Sequence, residues 1–412
     1  MLETYDSLDM PQLSIEFGKI KDIDILLETM LVKAKTLLNA DAGSIYITEN
    51  GNLKIQHTKN DTLEAKLPAG RKLLYSTVVL PVNNKTLAGY VASTGKILKI
   101  DNAYAISADM PYSFNKQFDV ITGYKTRSIL TVPIVSSSNA SLGVIQLINA
   151  KDDKGNITSF AEPLSDYIMS NFTIYAAAAI ERTQMTRNMI LRMNKMAALR
   201  DPKETGMHVN RVGAYSVEIY EAWAIKKNVP IDEINLNKDI LRMAAMLHDI
   251  GKIAIPDAIL KKPGRLDQDE FEVIKQHTFI GARLFQEKWS DFDEAACLIA
   301  LNHHERWDGK GYPGHVDLDT GAILASDPDN PKKAKGKSGE EIPVLARVVS
   351  VADVYDALIH SRCYKDAWPE TKVLDLFREE AGRQFDPDMV DAFFACHDVI
   401  KSIMARYPDL EA

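Results

Sequence analysis

Residues 237–252 read NKDILRMAAMLHDIGK. The run LRMAAML is apolar on nearly every side, so it predicts a helix buried inside a helical domain. His248 and Asp249 follow it directly. An imidazole beside a carboxylate at the end of a buried helix is costly unless the two are paired or bound to metal.

The segments around this stretch extend the same reading. HVNRVGAYSVEIYEAWAI, DQDEFEVIKQHTFIGARLFQEKW, FDEAACLIALNHHERW, VLARVVSVADVYDALIH, TKVLDLFREEA and PDMVDAFFACHDVIKSIMARY all read as helices, which predicts an all-α domain over residues 204–412. Six of the nine histidines fall between Thr205 and His315. Glu204 and His208 are four apart and share a helix face if the helix begins early enough. His277 follows EFEVIKQ, His303 and His304 close ACLIALN, and Asp353 is a charge in an otherwise apolar stretch. A single histidine such as His277 is ordinary. The whole set is harder to satisfy by hydrogen bonds than by two or three metal ions in mixed nitrogen and oxygen sites.

The first part of the chain changes character. In DIDILLETMLVKAKTLLN, residues 22–39, apolar side chains recur at helical steps. AGSIYIT, NLKIQHT, KILKID, SILTVPIV and SLGVIQLINA read as strands, ENGN, SSSN and DDKGN as turns, and Leu87 to Thr94 as a short helix. An α+β domain with an antiparallel sheet is therefore expected over residues 22–165, after an N-terminal extension of residues 1–21. A connecting helix over residues 166–203 carries Met185, Met189, Met196 and Leu199 near heptad spacing, with Arg192 on the seam. The expectation is a parallel homodimer in which domain surfaces supplement this short seam. Residues 314–341 are polar and turn-rich, and Lys332, Lys333, Lys335 and Lys337 predict a mobile cationic flap beside the site.

Composition narrows the classes. A chain of 412 residues exceeds one hydrophobic core, and 46% apolar with 26% charged residues are globular proportions. Forty-nine basic against 57 acidic residues give a formal charge of −8, which argues against a DNA or RNA polymer as partner. Cys297, Cys363 and Cys396 are too few and too scattered for a disulfide framework. Neither a signal peptide nor a membrane span of roughly 18 to 20 apolar residues is recognisable, so a cytoplasmic protein is expected.

HDIGKIAIPDAILKKPGRL, IKQHTFIGARLF, NHHERWDGKGYPG and VVSVADVYDALIHSRCYK occur in this order. Together they resemble the HD-GYP family of phosphodiesterases over about Glu204 to Arg406. The resemblance implies hydrolysis of cyclic di-GMP to linear pGpG, and onward to GMP, at a di- or trinuclear centre of iron or manganese. It places the ligands at His208, His248, Asp249, His277, His303, His304 and Asp353, with Asp249 bridging. Glu204 matches the carboxylate of members that hold three ions. Lys252 would reach a phosphate or a liganding carboxylate, and Arg362 and Lys365 resemble a phosphate-contacting pair. Tyr312, in the turn made by Gly309, Gly311 and Pro313, would touch substrate or the partner domain, and Asp308 would steady the turn or the histidines. Residues 22–165 resemble a GAF domain, on DAGSIYI, TLAGYVASTGKILKIDN, TRSILTVPI and LGVIQLINAKD, which implies a small-molecule ligand of unstated identity. NKQFD at 115–119 matches only part of the signature of cyclic-nucleotide-binding members. Three alternatives stay open: another cyclic dinucleotide such as cyclic GMP-AMP, a non-catalytic receptor or adaptor for the messenger, and oxygen-dependent oxidation at a diiron centre.

Overall fold

Asp22 starts the first long helix by accepting hydrogen bonds from the backbone N–H groups of Asp24 and Ile25. In the computed structural model, which describes residues 10–67, 79–161, 163–199, 206–360 and 367–408, the chain divides into units of residues 1–186 and 187–412.

The first unit runs α1 (Met10–Lys19), α2 (Ile23–Leu37), β1 (Ala40–Glu49), β2 (Asn52–Asn60), α3 (Asp61–Glu64), β3 (Val79–Pro81), α4 (Leu87–Thr94), β4 (Leu98–Ile100), α5 (Gln117–Thr122), β5 (Ile129–Val135), β6 (Ser141–Lys151) and β7 (Ile157–Thr158). The strands form one antiparallel sheet in the order β3-β2-β1-β6-β5-β4, with β7 on β6. Asn50 and Gly51 both take positive φ and close the β1–β2 hairpin, as an Asn-Gly pair does in a tight turn. Alternation along the strands then sorts the two faces. Ile45, Ile47, Val132 and Leu147 pack with Leu27, Met30 and Phe172 in one core, while Tyr46 and Val144 pack with Val91 of α4 on the other. Phe17 of α1 lies edge-on to Phe172 at 5.5 Å, so the N-terminal extension contributes a core helix. Asp119 of the NKQFD segment is buried and accepts hydrogen bonds from Thr126 N, Thr126 Oγ1 and Tyr104 Oη. Those bonds give it a structural role within its own loop.

Helix α6 (Leu164–Ala198) begins in the first unit and ends in the second. Met185, Met189 and Met196 leave 60%, 50% and 57% of their surface exposed on it.

The second unit is helical, as its sequence predicts: α7 (Gly206–Lys226), α8 (Ile231–Ala244), α9 (Asp257–Leu260), α10 (Gln268–Lys275), α11 (His277–Arg283), α12 (Asp291–Asn302), α13 (Val344–Ile359), α14 (Glu370–Glu379) and α15 (Pro387–Arg406). Helix α7 packs against α8, α13 and α15 around Tyr215, Leu241, Val348 and Phe393. The single helix expected over DQDEFEVIKQHTFIGARLFQEKW is in fact two, α10 and α11, divided at Gln276, so His277 opens a helix.

The flap expected at 314–341 is corrected in two respects. Its first half is docked: Arg283 donates to the carbonyls of Leu318 and Asp319, and Gly321 lies under the Phe279 ring. Its second half is a hairpin, β8 (Ser326–Asp327) and β9 (Asn330–Ala334), whose tip is Asp327 to Asn330. The lysines therefore lie on or just after the returning strand instead of at the tip. Lys337 donates to Asn302 Oδ1 at 2.6 Å, and burial pushes its ammonium below the ordinary lysine value. The turn propensities of the segment are real, but backbone pairing and docking to α11 consume them.

Candidate metal centre

Seven of the predicted ligands come together although they arrive from five places in the second unit. His208 stands in the first turn of α7, His248 and Asp249 between two 3-10 turns after α8, and His277 at the start of α11. His303 and His304 follow α12, and Asp353 lies in α13. They form two groups, Asp249 with His277, His303 and His304, and His208 with His248 and Asp353, each with its ligand atoms within 4.8 Å of one another.

The approach of the HDIG turn to α11 is made by backbone. A Cβ on Gly251 would lie 2.0 Å from the carbonyl oxygen of His277 and 2.5 Å from the nitrogen of Gly281, so only glycine permits this contact. It brings Asp249 Oδ1 to 3.0 Å from His277 Nε2 and 3.5 Å from His303 Nε2. The other oxygen, Oδ2, lies 3.4 Å from His248 Nε2, and His248 Nε2 is 3.7 Å from Asp353 Oδ1. One carboxylate thus faces both groups, as a bridge must.

The hydrogen bonds behind the rings test whether these residues suit a metal. His248 Nδ1 faces the carbonyl of Ala245 at 2.7 Å, His277 Nδ1 that of Ile274 at 2.6 Å, and His303 Nδ1 those of Ile299 and Ala300 at 3.1 Å. A carbonyl only accepts, so each Nδ1 carries the proton and each Nε2 turns its lone pair toward the centre. His208 is held the same way by Asp356, whose Oδ2 lies 2.8 Å from His208 Nδ1. Burial lowers the proton affinity of His303, and burial with the neighbouring His303 and His277 lowers that of His304 further. Burial opposes the ionisation of Asp249, but Lys252 and His248 more than offset it and hold the carboxyl well below its usual range. Neutral imidazoles and ionised carboxylates are the ligand forms for a mixed nitrogen and oxygen site, so the residues fit.

Lys252 Nζ reaches Asp249 Oδ2 at 2.5 Å and so meets the bridging carboxylate, one of its two expected targets. The Tyr312 ring stacks on His304 with centroids 4.8 Å apart. Asp308 pairs with Arg306 and accepts from Lys310 N, which places it on the turn and leaves the histidines to others. Gly311 lets that turn pass against Glu305, whose Cα would be 2.5 Å from an added Cβ. Glu204, Arg362 and Lys365 lie outside the described residues.

Three residues beyond the predicted set matter. Asp356, 1% exposed, accepts from Arg211 Nε at 2.6 Å and Arg211 Nη2 at 3.0 Å besides facing His208. Their spacing was a usable signal, because Asp356 follows Asp353 by three and Arg211 follows His208 by three, one helical face in each case. Glu305 is buried and accepts from the backbone N–H of Gly314 at 2.6 Å and of Lys337 at 3.1 Å, so one carboxylate ties both ends of the 314–341 segment.

The HD domain family matches residues 205–358, a second HD domain description matches 331–389, and the GAF domain family matches 22–167. A cyclic di-GMP phosphodiesterase of Vibrio cholerae is 31% identical over 302 residues, which is 72% of this chain and 54% of that protein. A cyclic di-GMP phosphodiesterase response regulator of Xanthomonas campestris is 42% identical over 173 residues, 42% of this chain and 40% of its own. A 3'3'-cGAMP-specific phosphodiesterase of Vibrio cholerae is 32% identical over 207 residues, 50% and 34% of the respective chains. This chain spans about half or less of the length of these curated relatives. Among the described residues no helix is long and apolar enough to cross a membrane. The chain joins a GAF domain to an HD domain, and it matches several cyclic di-GMP phosphodiesterases of the HD-GYP type.

Proposed function

We propose that the second unit is a metal-dependent phosphodiesterase that opens cyclic di-GMP to linear pGpG and carries the product on to GMP. The observation that carries this reading is Asp249, with one oxygen toward each of two groups of histidine and carboxylate ligands. Ions held there, iron or manganese, would activate a water and neutralise the charge that develops at phosphorus. Asp249 would bridge, Lys252 would hold the Asp249 carboxylate in place, and the backbone carbonyls behind His248, His277 and His303 keep their rings aimed. Tyr312, stacked on His304, would shape the substrate's approach. Glu204 is proposed as a ligand of a third ion, and Arg362 and Lys365 as phosphate contacts. The GAF domain is proposed to regulate the reaction through a small molecule, and the active assembly to be a homodimer.

The test is turnover of cyclic di-GMP and 3'3'-cGAMP by protein loaded without oxygen with iron or with manganese, followed to the final product. Cyclic di-GMP should disappear, with pGpG preceding GMP. Absence of turnover on every cyclic dinucleotide by metal-replete protein would refute the reading and favour a receptor. Faster turnover of 3'3'-cGAMP would move the substrate to that of the 3'3'-cGAMP-specific relative. Glu204→Ala should lose one ion and keep two.

A further inference from the structure

A cavity of about 350 Å³ opens beside His303 and His304 and is lined on its other side by Phe271, Lys275, Tyr312 and Lys333. Lys333 belongs to β9, in the segment that reads from sequence as a mobile flap beside the site. It reaches this wall because Glu305 ties the segment's two ends, and because Gly336 passes so close to Gly309 that a Cβ would stand 2.2 Å from the Gly309 carbonyl oxygen. The cations around the cavity differ in what they already hold. Lys275 is paired with Glu272 at 2.6 Å, and Arg306 with Asp308 at 3.0 Å and Glu380 at 3.2 Å. Lys310 is exposed at the rim. Lys333 is half-buried and lines the cavity together with Glu305, whose carboxylate feels its charge without a direct ion pair between the two. The Glu305 carboxylate is already taken up by the backbone N–H groups of Gly314 and Lys337, so the half-withdrawn Lys333 ammonium, in a space that also contains two candidate ligands, keeps its donors for an anion that enters.

We infer that Lys333 is a substrate-binding residue that holds the second phosphate of a cyclic dinucleotide while the first lies at the metal centre. This rests on the phosphodiesterase reading and adds to it. A ring with two phosphodiesters presents its second anion at a distance from the first, and a cavity near the lower end of the ligand-site range, roughly 300 to 1,000 Å³, accommodates part of such a molecule. The Phe271 and Tyr312 rings, 6.0 Å apart, supply an apolar wall for the intervening base. Lys332, exposed on the same strand, has no part in the contact.

The experiment compares wild type, Lys333→Met and Lys332→Met on cyclic di-GMP and on bis(p-nitrophenyl) phosphate, a diester with a single phosphate. Metal content is measured in each, together with equilibrium binding of a slowly hydrolysed phosphorothioate analogue of cyclic di-GMP. Lys333→Met should raise KM and the analogue's Kd about tenfold, since a charge-assisted hydrogen bond is removed, with metal content and bis(p-nitrophenyl) phosphate turnover unchanged. Lys332→Met should match wild type on both substrates. Equal losses on both substrates would show that Lys333 only supports the fold, and unchanged KM and Kd would show that it touches nothing; either overturns the inference while the phosphodiesterase reading stands. Wild type that cleaves bis(p-nitrophenyl) phosphate but no cyclic dinucleotide would remove the underlying reading and this inference with it.

Discussion

Asp356→Asn should cost the second unit stability and loosen one half of the candidate metal centre. Asp356 and Arg211 are 1% and 2% exposed, and the carboxylate takes two hydrogen bonds from the guanidinium as well as facing His208 Nδ1. Asparagine preserves the shape and one acceptor but removes the charge, which leaves the Arg211 cation buried without its counter-ion. Breaking a buried pair in this way costs about 3 to 5 kcal/mol. For a unit of this size each kcal/mol moves the unfolding midpoint by roughly 2 to 4 °C, so a fall of about 6 to 20 °C is expected in the metal-free protein. The second effect is selective. His208 loses the partner that fixes its tautomer, and loss of such a support typically lowers metal affinity about 10- to 100-fold. Metal should therefore leave the group of His208, His248 and Asp353 first, while the group of His277, His303 and His304 retains its own. Calorimetry on stripped protein and metal analysis after graded chelation measure the two effects. A variant with the wild-type midpoint and the wild-type order of metal release would refute both the buried-pair argument and the role given to Asp356.

Asp249→Ala should deplete both groups of metal together and abolish hydrolysis, because its oxygens face both; retention of one full group would show that it does not bridge. In the first unit, Asp41 is buried and accepts hydrogen bonds from Lys151, Tyr124 Oη and Thr62 Oγ1. Burial opposes its ionisation, but these partners prevail and hold its carboxyl below the ordinary value of 3.8. Its contribution is therefore present above that pH and lost as pH falls through the lowered value, so Asp41→Asn should cost about 2 kcal/mol at pH 7. Urea titrations should show the gap to wild type shrinking below about pH 3.8, and a gap independent of pH would refute the linkage. Met189→Glu should convert a light-scattering dimer to monomer if exposed methionines of α6 form the seam, whereas a monomeric wild type would reject the dimer outright.

The candidate ligand cluster was legible because its chemistry conflicts with its surroundings one segment at a time. His248 and Asp249 after LRMAAML, or Asp353 within VLARVVSVADVYDAL, are polar groups in apolar runs, and their desolvation cost can be read from neighbouring residues alone. The strands and α2 were legible for the same reason, since periods of two and of three to four residues record which face is buried. Pairing across the fold leaves no such local mark. Asp356 serves His208 and Arg211 from about 145 residues away, and sequence offers only the three-residue spacings that make the contact possible. The break between α10 and α11 at Gln276 has no glycine or proline to announce it, and without it His277 would not open the helix that carries it to Asp249. The four lysines of 332–337 look equivalent as a string. Glu305 and the Gly309–Gly336 contact separate them, holding a half-buried Lys337 against Asn302, turning Lys333 into the cavity and leaving Lys332 in solvent, because burial depends on which distant backbone the strand folds against.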